Sequence, residues 1–207
     1  VCKESNIDPK KIISIGISYQ MHGLVIVDKN GEPLRDSIIW CDSRAVNIGS
    51  DAYEKLGEDK CMSHLLNSPG NFTASKLKWV KENEPEVYEK IYKYMLPGDF
   101  IAYKLTGEIN TTRNGLSEGI IWDYKNNEIA NWLLDFYGIN PNLTPDLVDN
   151  FTNQGATNSK SSEETGLNIG IPITYRAGDQ PNNALALNVF DNGEVAASGG
   201  TSGVIYS

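Results

Sequence analysis

Between Ile171 and Arg176 the chain is largely apolar, and it then passes without a spacer through Ala177-Gly178-Asp179-Gln180 into a segment, Pro181 to Asn188, with helical character. A strand that feeds straight into a helix is the repeating unit of α/β proteins, which place ligand chemistry at the carboxyl ends of their strands. A second apolar run, Ile12 to Ser18, ends at another polar turn, Gln20-Met21-His22-Gly23. Its near-continuous hydrophobicity predicts a buried strand.

Between these runs the periodicity changes. Leu24 to Asp28 reads as a strand, Asn30-Gly31 as a hairpin turn, and Ser37 to Trp40 as a third strand, so the opening is expected to be a β-meander. Helices are expected over Ser43 to Leu56 and Thr73 to Asn83. After Pro85, Tyr88, Ile91, Tyr92 and Met95 fall at helical spacing. A helix from Pro97 is expected to stop at Gly107, with Phe100, Ile101 and Leu105 inward. Thr111 to Glu118 is polar and reads as a loop, and Trp132 to Tyr137 as a short helix closed by Gly138. Pro141 to Lys160 looks irregular, with room for strand pieces, and Glu194 to Ser198 with Val204 to Tyr206 reads as a hairpin around a Gly-rich turn.

Of the 207 residues, 40% are hydrophobic and 22% charged, a balance that supports a buried core. The net charge of −9 argues against nucleic acid and anionic membranes as partners. Three cysteines without CxxC spacing make a zinc site an unattractive reading, and no metal site is expected. The cysteine pattern suits a reducing cytoplasm, and no apolar run reaches membrane-spanning length. Val1 in place of an initiator Met, and an ending in the middle of an apolar run, read as a longer chain trimmed at both edges.

Four short segments carry polar groups suited to chemistry. Asp179 could take a proton from a substrate hydroxyl or hold a metal ion, although spacing alone slightly favours an Asp that caps the next helix. Gly199-Gly200-Thr201-Ser202-Gly203 could cradle a phosphate or be an ordinary hairpin turn; it lacks the Lys and following helix of a Walker A loop. His22, in Met21-His22-Gly23, could hydrogen-bond a sugar hydroxyl or be structural; His64 has no evident partner. Trp40-Cys41-Asp42-Ser43-Arg44 could stack on and bond a sugar, or supply a core Trp and an N-cap Asp.

Taken together and in order, these segments resemble the FGGY carbohydrate kinases of the xylulokinase type. Ile15-Gly16-Ile17-Ser18 with Gln20-Met21-His22-Gly23 is similar to the family's sugar-site strand and turn, and Trp40 to Arg44 to its W-x-D-x-R segment. Phe72 to Val80 resembles its first signature, with Asn71 a departure, and Leu96 to Phe100 and Leu105 to Glu108 its next helix. Gly178-Asp179-Gln180 looks like the catalytic segment, where Ala177 replaces a usual Gly, and Gly200-Thr201-Ser202-Gly203 like the phosphate turn.

The resemblance implies an actin-like ATPase (ribonuclease H-like) α/β fold, a mixed sheet flanked by helices. It implies a sugar-binding N-terminal domain over residues 1–190 and the first hairpin of an ATP-binding domain over 191–207. Asp179 would be the general base, with Gln20, Met21, His22 and Gln180 at the sugar, Asp42 and Arg44 lining or bracing that site, and Gly200, Thr201 and Ser202 at the phosphate. ATP and Mg2+ would be cofactors, and a homodimer is left open. D-xylulose is the expected substrate; gluconate, glycerol and ribulose, a silent sugar-binding module, and an acetate- or hexokinase-like relative remain alternatives. The family's N-terminal Asp-x-Gly-Thr phosphate loop is absent, so the first strands would be missing. This polypeptide by itself is expected not to phosphorylate sugars.

Overall fold

The structure, a computed structural model, describes residues 4–199 and 203–206. After a short 3-10 turn, strand β1 (Ile15–Tyr19) leads through the Met21–Gly23 turn to β2 (Val25–Val27). Helices α1 (Val46–Leu56), α2 (Glu58–His64), α3 (Thr73–Asn83) and α4 (Pro85–Tyr88) follow. Then come β3 (Lys93–Met95), α5 (Pro97–Thr106), β4 (Asn110–Thr112) and α6 (Arg113–Glu118). Strands β5 (Trp122–Asp123) and β6 (Glu128–Ile129) precede α7 (Asn131–Tyr137). The rest comprises β7 (Asp146–Val148), α8 (Ser159–Thr165), β8 (Ile173–Gly178), α9 (Asp179–Ala186), β9 (Ala196–Gly199) and β10 (Gly203–Tyr206).

The pairing that positions the site is parallel, β1 beside β8, with Tyr19 opposite Gly178. Two runs separated by most of the chain therefore end side by side, and their carboxyl ends deliver the Gln20–Gly23 turn and Asp179 to one place. Elsewhere β4 pairs with β7 in parallel, while β2–β3, β5–β6 and β9–β10 are antiparallel, a mixed α/β arrangement of strand pairs and helices.

Helix α5 packs on the β1–β8 pair. Gly98 makes this approach possible, since a Cβ there would lie 2.1 Å from Cδ1 of Tyr19. Ile17, Tyr19, Leu96, Ala102 and Ile173 fill that interface, and a larger core gathers Leu77 and Val80 of α3, Leu116 of α6 and Leu133 and Leu134 of α7. Gly107 and Gly138 close α5 and α7 in the left-handed conformation, as expected from sequence.

Several expectations are corrected. The first run is not buried throughout: Ile13 is 83% exposed, and β1 alternates exposed Gly16 and Ser18 with buried Ile17 and Tyr19, because helix packing covers one face only. The meander lacks its third strand; Ile38 makes a single bridge to Leu24, and the antiparallel partner of β2 is β3. The helix expected through Met95 ends at Tyr88, because Lys93–Met95 gains ladder bonds beside β2. Ile101 is half exposed. Thr111 to Glu118 is no loop: it ends β4 and forms α6, whose N-cap Thr112 accepts a hydrogen bond from the Gly115 N–H.

Candidate functional site

The turn after β1 is held from below and from the side. His22 has a left-handed backbone, φ +63°, which costs a non-glycine residue energy that its surroundings must offset. The Lys76 ammonium, fully buried on α3, donates to the His22 carbonyl at 2.8 Å and to the Ile39 carbonyl at 2.9 Å. Gln20 Oε1 accepts from the Trp40 N–H at 3.2 Å, tying the turn to the aromatic segment.

His22 Nδ1 lies 2.8 Å from the Glu118 carbonyl oxygen. A carbonyl accepts only, so Nδ1 carries the proton. Burial, and then Lys76, hold the imidazole pKa below its ordinary value against the raising effect of that hydrogen bond and Asp179. The lowered pKa favours the neutral ring, in which Nδ1 is the donor and Nε2 the acceptor nitrogen.

Asp179 is the first residue of α9 and is exposed. It does not cap the helix: the N-cap is Gly178, which makes no side-chain capping bond, and Asp179 Oδ2 instead accepts from Gln180 Nε2 at 2.9 Å. A cleft of about 300 Å3 is lined by Gln20, Met21, His22, Trp40, Asp179, Gln180 and Val204. Trp40 is 60% exposed on this cleft and is not a core residue. The structure thus brings together five of the seven residues that the resemblance puts at or beside the sugar, counting Asp179, with Trp40, the aromatic residue of the Trp40–Arg44 segment, and adds Val204.

Asp42 and Arg44 do not line this cleft. They pair with each other, Arg44 Nε to Asp42 Oδ1 at 2.9 Å and Nη2 to Oδ2 at 2.7 Å, and the guanidinium stacks 4.5 Å over Trp79. The Arg44 hydrogen bonds pull the Asp42 carboxyl down to about 2. Asn71 Nδ2 donates to the Asp42 carbonyl, so this pair braces the segment carrying Trp40. Gly200, Thr201 and Ser202 lie outside the described residues; β9 and β10, which flank them, pair as the expected hairpin.

A second cavity of about 290 Å3 adjoins the first through Met21 and His22 and is lined further by Asn67, Phe72, Asn114, Ser117 and Glu118. Glu118 was not singled out in the sequence. It is buried, its Oε1 accepts a hydrogen bond from the Tyr19 hydroxyl, and its Oε2 has no hydrogen-bond partner. Burial pushes its pKa well above the carboxylate range, and Asp99 and Asp179 push the same way against the Tyr19 bond. Beneath them Asp99 and Arg176 form a buried ion pair, Oδ1 to Nε 3.0 Å. The signal for Glu118 was the capping Thr112 ahead of it, which marks a helix start. Lys76 was visible only as one of several charged residues on α3. His64, without an evident partner in sequence, meets Asp123 at 2.8 Å in a separate cluster with Trp132.

This is an α/β domain in which two parallel strands, β1 and β8, end beside a cleft that the Asp179 carboxylate lines. The chain belongs to the FGGY family of carbohydrate kinases, whose N-terminal domain matches residues 1–186. It is 32% identical over 197 residues to a xylulose kinase of Staphylococcus xylosus, covering 95% of this chain and 41% of that protein. Among solved structures, the xylulose kinase from Rhodospirillum rubrum aligns with a TM-score of 0.85 at 26% identity, over 93% of this chain and 40% of the other. The gluconate kinase from Lactobacillus acidophilus aligns with a TM-score of 0.87 at 26% identity, over 97% and 41%. The chain therefore spans about two fifths of the length of the relatives it matches. The actin-like ATPase fold expected from the sequence is the fold of this family. No helix of the described residues is long and apolar enough to cross a membrane.

Proposed function

We propose that this chain supplies the sugar site of an ATP-dependent kinase that converts D-xylulose to D-xylulose 5-phosphate, with Asp179 as general base. The observation that carries the reading is the strand-end carboxylate of Asp179 lining one cleft with Met21, His22 and Trp40. Trp40 and Met21 offer apolar surface to the carbon chain, while Gln20, Gln180 and His22 Nε2 take hydroxyls. Asp179 accepts the proton of the reacting hydroxyl. The freed oxygen forms a bond to the γ-phosphorus of ATP as the bond to the β-phosphate oxygen breaks, and ADP leaves.

Residues 1–190 are read as the sugar domain and 191–207 as the opening hairpin of an ATP-binding domain, with Gly200, Thr201 and Ser202 toward the transferred phosphate. Mg2+ is assigned to the ATP phosphates, as is usual for kinases. There it would neutralise charge on the transferred group. The work of this chain is to bind and orient the sugar and to hold the proton at Asp179.

Gluconate is the second reading, favoured by the structural match to a gluconate kinase. A coupled ADP-release assay on a protein carrying this chain together with an ATP-binding half, run with xylulose, gluconate, glycerol and ribulose, decides between them. The highest kcat/KM should fall to xylulose; turnover of none of the four would refute the kinase reading.

A further inference from the structure

Glu118 ends α6, which packs on β8, and only 7% of its surface is exposed. Its carboxyl receives one hydrogen bond, from the Tyr19 hydroxyl on β1. The other oxygen, Oε2, is buried without a partner against the backbone of β8, where a Cβ on Gly178 would stand 2.6 Å away. The residue after Gly178 is Asp179. The groups around Glu118 offer no counter-charge. Asp99 on α5 and Asp179 on α9 are acidic, and both oppose its ionisation. Burial keeps the Tyr19 phenol protonated, and burial likewise holds the His22 imidazole, whose Nδ1 meets the Glu118 carbonyl, toward its neutral form. Arg176 on β8 is paired with Asp99 at 3.0 Å, and Lys76 is held by two carbonyl oxygens. A carboxylate buried with one donor and no free cation costs far more than the neutral acid. Of two neighbouring carboxyls that compete for one negative charge, the one with less access to water takes the proton.

We propose that Glu118 and Asp179 form a carboxyl pair with a single negative charge, in which buried Glu118 carries the proton and acts as a positioning residue that leaves the charge at Asp179, on the side of the cleft. The inference rests on the reading of Asp179 as general base and deepens it. Gly178 lets the pair form, since any side chain there would occupy the place of Glu118 Oε2. Ionising Glu118 would set a second negative charge behind the base, on the side from which an anionic γ-phosphate has to be attacked, and would oppose its approach. The acid form of Glu118 persists above the ordinary carboxylate range, so this loss comes as the pH rises, not as it falls.

Carbon NMR of protein isotope-labelled at its carboxyl groups reads the charge directly, with Glu118→Gln assigning the signal. At pH 7 the Glu118 signal should be that of the acid. Asp179→Asn removes one charge that opposes ionisation, so it should move the Glu118 titration to lower pH. In a protein carrying this chain with an ATP-binding half, kcat for xylulose should fall as the Glu118 signal titrates, and Glu118→Gln, which cannot ionise, should lose that fall. A carboxylate signal for Glu118 at pH 7, a titration indifferent to Asp179→Asn, or a fall in kcat that persists in Glu118→Gln overturns the inference and leaves the base reading standing. Full kcat in Asp179→Asn removes the base reading instead, and the catalytic meaning of the pair with it.

Discussion

The Lys76 ammonium lies 2.8 Å from the carbonyl oxygen of His22, the residue of the site turn with left-handed backbone. Its second bond, to the Ile39 carbonyl, joins that turn to the segment bearing Trp40, so one buried charge sets the distance between two walls of the cleft. Lys76→Met should destabilise the fold by roughly 2–4 kcal/mol, because two buried carbonyls lose a charged donor. Urea unfolding measures this, and sugar affinity should fall in parallel.

The same lysine predicts a pH dependence. Burial pulls Lys76 down to about 8, partly offset by Asp42, whereas an unfolded lysine keeps its proton to about pH 10.4. Between those values the unfolded chain binds more protons, so the contribution of Lys76 to stability rises with pH across that window. Buried Cys61, raised by desolvation, acts in the opposite direction. The difference between the parent and Lys76→Met cancels the cysteine, and it should show the parent gaining on the variant from pH 8 to 10.

Gly178 immediately precedes Asp179, and a Cβ there would stand 2.3 Å from Met21 Cγ and 2.6 Å from Glu118 Oε2. Its φ of −59° suits any residue, so space alone requires glycine. Gly178→Ala should cost about 1–3 kcal/mol of stability by overpacking and should displace Met21, lowering sugar affinity. Paired thermal melts and sugar titrations check both effects.

The Asp99–Arg176 pair, almost wholly buried, underlies the β1–β8 strand ends. Asp99→Ala leaves the guanidinium without its counter-charge and should destabilise by about 3–5 kcal/mol. The double variant Asp99→Leu with Arg176→Met should recover much of that loss. Denaturation midpoints of the three proteins give the comparison.

The lining of the candidate cleft was legible where it is local in sequence. Asp179, Gln180 and the Gln20–His22 turn follow apolar runs, and runs of that kind announce strand ends. What escaped was set by tertiary contact. Lys93–Met95 shares helical spacing with Tyr88 and Ile91, yet β2 supplies ladder partners that override it. Glu118 lies in a polar stretch that looks like a loop; its burial follows from the fold bringing Tyr19 and Gly178 against it. Asp42 and Arg44, two residues apart, satisfied each other and so brace the site without entering the cleft.

The most direct test of the account replaces the carboxylate that faces the cleft. In a protein carrying this chain with an ATP-binding half, Asp179→Ala should lower kcat for xylulose by about 10²–10⁴-fold, the contribution of a general base, while sugar affinity changes little. A variant that keeps full kcat would contradict the assignment of Asp179 as the base.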